Sequence, residues 1–122
     1  MNRDEFITAY NDFTDTALRL AVKARREGIL ALDGDVDREK ADERDIFHYG
    51  LSFVVDGVAS EIIEKILSNI VAQEKDEYTH ILKTIQKEAV MGIQAGDNPK
   101  LLYCVLNSYT DLPIKNEEER YE

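Results

Sequence analysis

The chain has no tryptophan, one cysteine, two prolines and six glycines in 122 residues. A single cysteine excludes an intramolecular disulfide, so the fold must rest on its core. Cys104 lies in the apolar stretch Leu101-Leu102-Tyr103-Cys104-Val105-Leu106, where a buried small hydrophobe is expected rather than a reactive thiol. So few helix breakers, among many Ala, Leu, Ile, Glu, Lys and Arg, favour long helices. No apolar run approaches the roughly 20 residues that span a bilayer. Met1-Asn2-Arg3-Asp4-Glu5 opens no signal peptide, so a cytoplasmic location is expected. Phosphate-binding glycine loops and nucleophile elbows are missing, and Cys104 has no evident base, so neither an enzyme nor a cofactor is expected. Positive charge is also scarce. With 15 Lys and Arg against 25 Asp and Glu, the net charge is -10, which disfavours nucleic acid and anionic lipid as partners.

Two acidic patterns suggest metal and then fail on spacing. Asp33, Asp35 and Asp37 have the one-three-five spacing of an EF-hand loop, but the sixth position is Arg38 and the twelfth Arg44, where glycine and glutamate are needed. Glu77 and His80 make one Glu-x-x-His pair, and a carboxylate-bridged bundle site needs two. No metal site is expected.

What the sequence does contain is helical periodicity. Phe6, Tyr10, Phe13, Ala17, Leu20 and Ala24 step by four and three within one helix expected from Asp4 to Leu32. The stripe suits a core face, with a dimer seam as the alternative. Gly28 interrupts it, and Gly34 is the expected left-handed cap. Residues 33–45 form a connector with seven acids against Arg38, Lys40 and Arg44. A second helix is expected over about 41–56, closed by Gly57. Ser60 reads as the N-cap of a third, long enough to reach Ala95, although its apolar stripe weakens at 74–77. Gly96 ends it, and Pro99 suits the first turn of a fourth helix to about Tyr109. The expected fold is therefore all-α: two long antiparallel helices with two shorter ones beside them, one domain over 1–112, and a charged, flexible tail over 113–122.

A repeat at an offset of 39 aligns Val54–Ile63 with Ile93–Leu102, and Ile66-Leu67 with Val105-Leu106. Each copy reads as a helix ending at glycine, a three-residue turn and a new helix opening with an inward apolar pair. Two copies are too few for a solenoid.

The densest cation cluster is Lys23, Arg25 and Arg26, with Asp33 eight residues beyond Arg25. On physics alone, cations here offset the negative end of a helix dipole, or present a bipolar edge that steers a charged partner. The run Val22-Lys23-Ala24-Arg25-Arg26-Glu27-Gly28-Ile29-Leu30-Ala31-Leu32-Asp33, the run Gly50-Leu51-Ser52-Phe53-Val54-Val55-Asp56-Gly57 and the run Ile93-Gln94-Ala95-Gly96-Asp97-Asn98-Pro99 together resemble the cytoplasmic part of the MotA/PomA family, the stator subunits of the bacterial flagellar motor. The resemblance covers about residues 14–110. It implies a cytoplasmic stator-like fold and a motility role in which Arg25 and Asp33, flanked by Lys23 and Arg26, engage the rotor protein FliG. Where the family has glutamate, Asp33 is a shorter acid. Membrane stator subunits or further copies of the chain, as a homo-oligomer, are the other partners it implies.

The departure is the absence of four membrane helices: two before the first run, and two between the second and third, near Glu77–Leu82. Ion conduction is therefore not expected of this chain. A natural soluble protein is favoured by the start and by the expected unbroken third helix. An excised cytoplasmic fragment of a stator, and a structural self-associating module, are the alternatives.

Overall fold

The computed structural model of the protein describes residues 1–115 of the 122, and among these it is helical without a strand. The order is α1 (Arg3–Glu27), a 3-10 helix (Ile29–Asp35), α2 (Ile46–Val55), α3 (Ser60–Gln73), α4 (Glu77–Ala95) and α5 (Pro99–Asn107). The centre is α4, which packs against α1, α2, α3 and α5. Among the described residues no helix is long and apolar enough to cross a membrane. The charged tail expected over 113–122 falls mostly outside the described residues. Within them, the Lys115 amide donates to the Tyr103 hydroxyl at 2.8 Å.

Local chemistry sets each boundary. Asn2 caps α1 in a capping box with Glu5, satisfying donors that the first turn leaves open. The helix stops at Gly28, whose φ of 90° few other residues adopt. The single helix expected to Leu32 is thus cut at Glu27, and Gly34 is not the left-handed cap. A 3-10 turn continues in its place, because Leu32 must turn inward and becomes fully buried. The second helix begins at Ile46 rather than 41, with the Asp45 carboxylate accepting from the His48 amide. The N-cap of α3 is Ala59, not Ser60, and no side chain caps it.

The largest correction concerns the third helix, which does not run through to Ala95. Residues 74–76 break it, and the Asp76 carboxylate accepts from the Thr79 amide at 3.0 Å and the Thr79 hydroxyl at 2.7 Å. That N-cap begins a new helix where the apolar stripe weakens. The antiparallel pair is consequently α3 and α4, tied by Lys83 to Glu74 at 2.8 Å and Lys87 to Glu64 at 3.4 Å. The longest helices, α1 and α4, run parallel instead. The Met1 amino group reaches Asp76 at 3.3 Å, and the tilted rings of Phe6 and Tyr78 lie 5.2 Å apart. At the other end, the last turn of α1 lies beside Asn98 and Pro99, just past α4.

The stripe of α1 is core. Phe6, Tyr10, Ala17, Leu20 and Ala24 are buried, while Phe13 is half-buried edge-on to Phe47. The repeat is real in the backbone: the Gly57 amide bonds to the Val54 carbonyl and Val58 to Phe53, and 39 residues on Gly96 bonds to Ile93 and Asp97 to Gly92. Both are Schellman endings, with φ of 79° and 75° at the two glycines. The apolar pairs that follow do not both face inward. Ile63 and Leu102 are buried, whereas Ile62 and Leu101 are 53% and 66% exposed, since adjacent helical residues lie about 100° apart. The same geometry overturns the expectation for Cys104, which is exposed because α5 buries 102, 103, 106 and 107 instead.

Gly50 and Gly92 let helices close up, Gly92 against Leu102. A Cβ on Gly50 would meet both Val90 Cγ atoms at 2.8 Å and Leu67 Cδ1 at 2.9 Å. Gly50→Ala gains about 1 kcal/mol of helix propensity but overpacks two buried side chains at about 1–3 kcal/mol, so a net loss of up to about 2 kcal/mol is expected in urea unfolding. Gly96→Ala should cost about 1 kcal/mol for its backbone alone.

The N-cap at Asp76 predicts a pH signature. Hydrogen bonds from the Thr79 hydroxyl, then its amide, hold the Asp76 carboxyl below the ordinary carboxylate value. A depressed folded value means the contribution is present above the ordinary value and lost as pH falls through the depressed one. Asp76→Ala should lower the thermal midpoint at neutral pH, with the gap to wild type narrowing below about pH 4, and Asp76→Asn, a neutral cap like protonated Asp76, should lose less than Asp76→Ala at neutral pH and match wild type in acid.

Candidate functional site

The cation cluster sits on the last two turns of α1, where cations face the negative end of the helix dipole. The structure separates its members. The Lys23 ammonium bonds the Asp35 carboxylate at 2.8 Å, and this hydrogen bond raises its pKa above the ordinary lysine value. Lys23 thereby pins the 3-10 turn back onto α1. Arg25 and Arg26 are exposed and make no ion pair or hydrogen bond among the described residues. Tertiary packing brings the start of α5 beside them. Val22, Arg25, Arg26, Asn98, Pro99 and Lys100 line a shallow groove of about 300 Å³. Asn98 caps α5 by accepting from the Lys100 amide at 2.8 Å, so the positive end of that helix dipole adds to the field of the arginines. In a chain of net charge -10, this is a local positive patch.

Asp33 is placed differently from the expectation of a residue two turns along the same helix. It lies beyond the Gly28 break, on the 3-10 turn, and is exposed. Arg38 bonds it at 3.0 Å and also bonds Asp56 at 3.3 Å, hydrogen bonds to Asp56 and then Asp33 raising the guanidinium's pKa. The acid of the first run and the acid of the second thus share one guanidinium, while the arginines of the first run lie against the Asn98-Pro99 of the third. Three runs separated along the chain converge on the end of α1. Sequence reasoning passed over Arg38 and Lys100. Arg38 had a signal, being a cation set among acids at the centre of the connector. Lys100 had none, because only folding brings α5 to α1.

The three alternating aspartates of the connector point to separate partners: Asp33 to Arg38, Asp35 to Lys23, and Asp37 to the Glu39 amide at 3.1 Å. The Asp37 amide donates to His48 Nδ1 at 2.9 Å, engaging that ring nitrogen as an acceptor. Among the described residues no group of three His, Cys, Asp or Glu side chains is arranged to hold a metal ion.

Comparisons with protein families, with curated proteins and with solved structures found no match to this chain.

Arg38 is exposed, and exposed ion pairs contribute little to global stability. Arg38→Ala is expected to leave the thermal midpoint within about 2 °C of wild type. Amide exchange over 33–38 should quicken, measured by hydrogen–deuterium exchange. A global loss of many degrees would show that the shared guanidinium holds more than its own turn.

Proposed function

We propose that the chain is a non-enzymatic, MotA-like interaction protein of the flagellar motor, acting at its cytoplasmic face and contacting the rotor protein FliG through the exposed cations at the end of α1. It conducts no ions in this reading. One observation carries it: Arg25 and Arg26 stand exposed and unpaired among the described residues of a strongly acidic chain, on the run that resembles the family's rotor-contact segment. Exposed charges held without internal partners remain available to a complementary surface and steer its approach.

The roles follow from what each side chain already touches. Arg25 is the principal contact, with Arg26 beside it and the start of α5 completing the patch. Lys23 positions the adjoining turn, because its ammonium is engaged by Asp35. Asp33 contributes less, because Arg38 neutralises part of its charge. The helix break at 74–76 falls next to the place where the resemblance puts two membrane helices, which is consistent with a stator-like cytoplasmic layout. Membrane stator subunits are the second partner in this reading. Self-association through the stripe from Phe6 to Ala24 is disfavoured, since that stripe is largely occupied by the chain's own core.

The test is a binding titration of folded variants against purified FliG from the same organism. Arg25→Glu should weaken binding by about five- to tenfold at low salt, and raising salt should weaken the wild type, because exposed charges are screened beyond about 8–10 Å at physiological ionic strength. Asp33→Lys should have the smaller effect. All variants should keep the wild-type thermal midpoint, since substitutions of exposed charges change stability little. Equal affinity for wild type and Arg25→Glu would reject the rotor contact.

A further inference from the structure

A second feature lies near the opposite end of α1. A cavity of about 200 Å³ opens between α1, α5 and the segment that follows α5. Its floor is four buried polar side chains: Tyr10, Thr14, Tyr103 and Asn107. The Tyr10 hydroxyl donates to Asn107 Oδ1 at 2.7 Å, and Asn107 Nδ2 donates to the Leu112 carbonyl at 3.2 Å. That second bond holds the segment over the cavity, together with the Lys115 amide bonding Tyr103. Burial pushes the Tyr10 phenol well above its ordinary pKa, opposed by the Thr14 hydroxyl, which lies beside the phenol but outside hydrogen-bonding geometry, so Tyr10 stays neutral and a hydrogen-bonding wall.

Thr14 is the anomaly. It is only 4% exposed, and its Oγ1 makes no hydrogen bond. A buried hydroxyl left unpaired costs about 1–3 kcal/mol, and native proteins rarely leave one without water or a ligand. At about 30 Å³ per water, the space corresponds to roughly six or seven waters, and it is below the roughly 300 Å³ at which pockets for drug-sized molecules begin. A small metabolite is the right scale. Ile7, Leu112 and Pro113 supply apolar wall. The rim is polar and of both signs, with the half-buried side chains of Asn11, Asp15 and Lys115. Neither the Asp15 carboxylate nor the Lys115 ammonium has an ion-pair partner among the described residues.

An apolar body with an ammonium and a carboxylate side by side matches such a rim. We propose that this cavity is a binding site for a free apolar α-amino acid, its side chain among Ile7, Tyr10 and Leu112, its ammonium at Asp15, its carboxylate at Lys115 and Asn11, and the Thr14 hydroxyl meeting its polar head. The site is independent of the rotor contact. Asp15 and Arg25 are ten residues apart on one helix, or about 15 Å.

The test is a nuclear magnetic resonance titration of the whole chain with L-leucine and L-phenylalanine, each beside its N-acetyl and carboxamide forms. The expected result is saturable shifts at α1 and α5 residues with a Kd on the order of 0.1–1 mM. Blocking either charged group should weaken binding about tenfold, as for loss of a charge-assisted hydrogen bond. Thr14→Val should raise the thermal midpoint of the free protein by about 2–5 °C, because it removes an unpaired hydroxyl, while weakening the amino acid. Asp15→Asn should weaken the amino acid without moving the midpoint. Rising stability with falling affinity is a combination that a merely structural Thr14 would not produce. No saturable shift up to about 20 mM, or binding indifferent to acetylation and to Asp15→Asn, would overturn the proposal. Binding of FliG is not an observable in any of these measurements, so either proposal can fail alone.

Discussion

Helix backbones come closest where one of them carries no side chain. Gly50 on α2 leaves its space to Val90 and Leu67, and Gly92 on α4 leaves its space to Leu102. These contacts join α2 to α3 and α4, and α5 to α4. In a 122-residue chain the core is small, and the central helix is covered by one long helix, α1, and by the shorter α2, α3 and α5. Gly28 and the Asp76 cap cut the long helical patterns to the necessary lengths.

The charge distribution follows from that packing. Most of the acids stay on the outside, and several of the cations are held by them: Lys23 by Asp35, Arg38 by Asp33 and Asp56, Arg44 by Asp42, Lys83 by Glu74. Each pair stabilises little on the surface, yet together they decide which charges are left for a partner. The connector, so acidic in sequence, is stitched to its surroundings by Lys23 and Arg38 and anchored by Leu32 and Val36. Arg25 and Arg26 remain outside this network. The two ends of α1 thus differ in kind: a cationic groove against the start of α5, and a cavity floored by hydrogen-bonded polar side chains against its far end.

Much of this was legible in advance. The buried stripe of α1, the glycine endings at 57 and 96, the proline that opens α5 and the absence of strands follow from periodicity and from local backbone preference, which act within a few residues. The errors share one cause. The helix break at 74–76 was visible as a weakened stripe, but local propensity favours Glu and Lys in helices as much as in caps. Ser60 has the right chemistry for an N-cap and lost the place to Ala59 because the turn after Gly57 sets where the helix begins. Cys104 and Leu101 sit in an apolar run that could have faced inward, and only the rotation of α5 against α1 and α4 put them outside.

The sequence by itself determined the helical class, the glycine turns at 57 and 96 and the excess of negative charge, because these depend on side-chain periodicity, on φ and on composition. The tertiary structure alone decided the relations between distant residues. It set α1 parallel to α4, placed Pro99 against Arg25, and gave one guanidinium to Asp33 and Asp56. It also closed a cavity over Thr14, 93 positions before its partner wall at Asn107. Such relations depend on how whole helices pack, and no short stretch of residues contains that information.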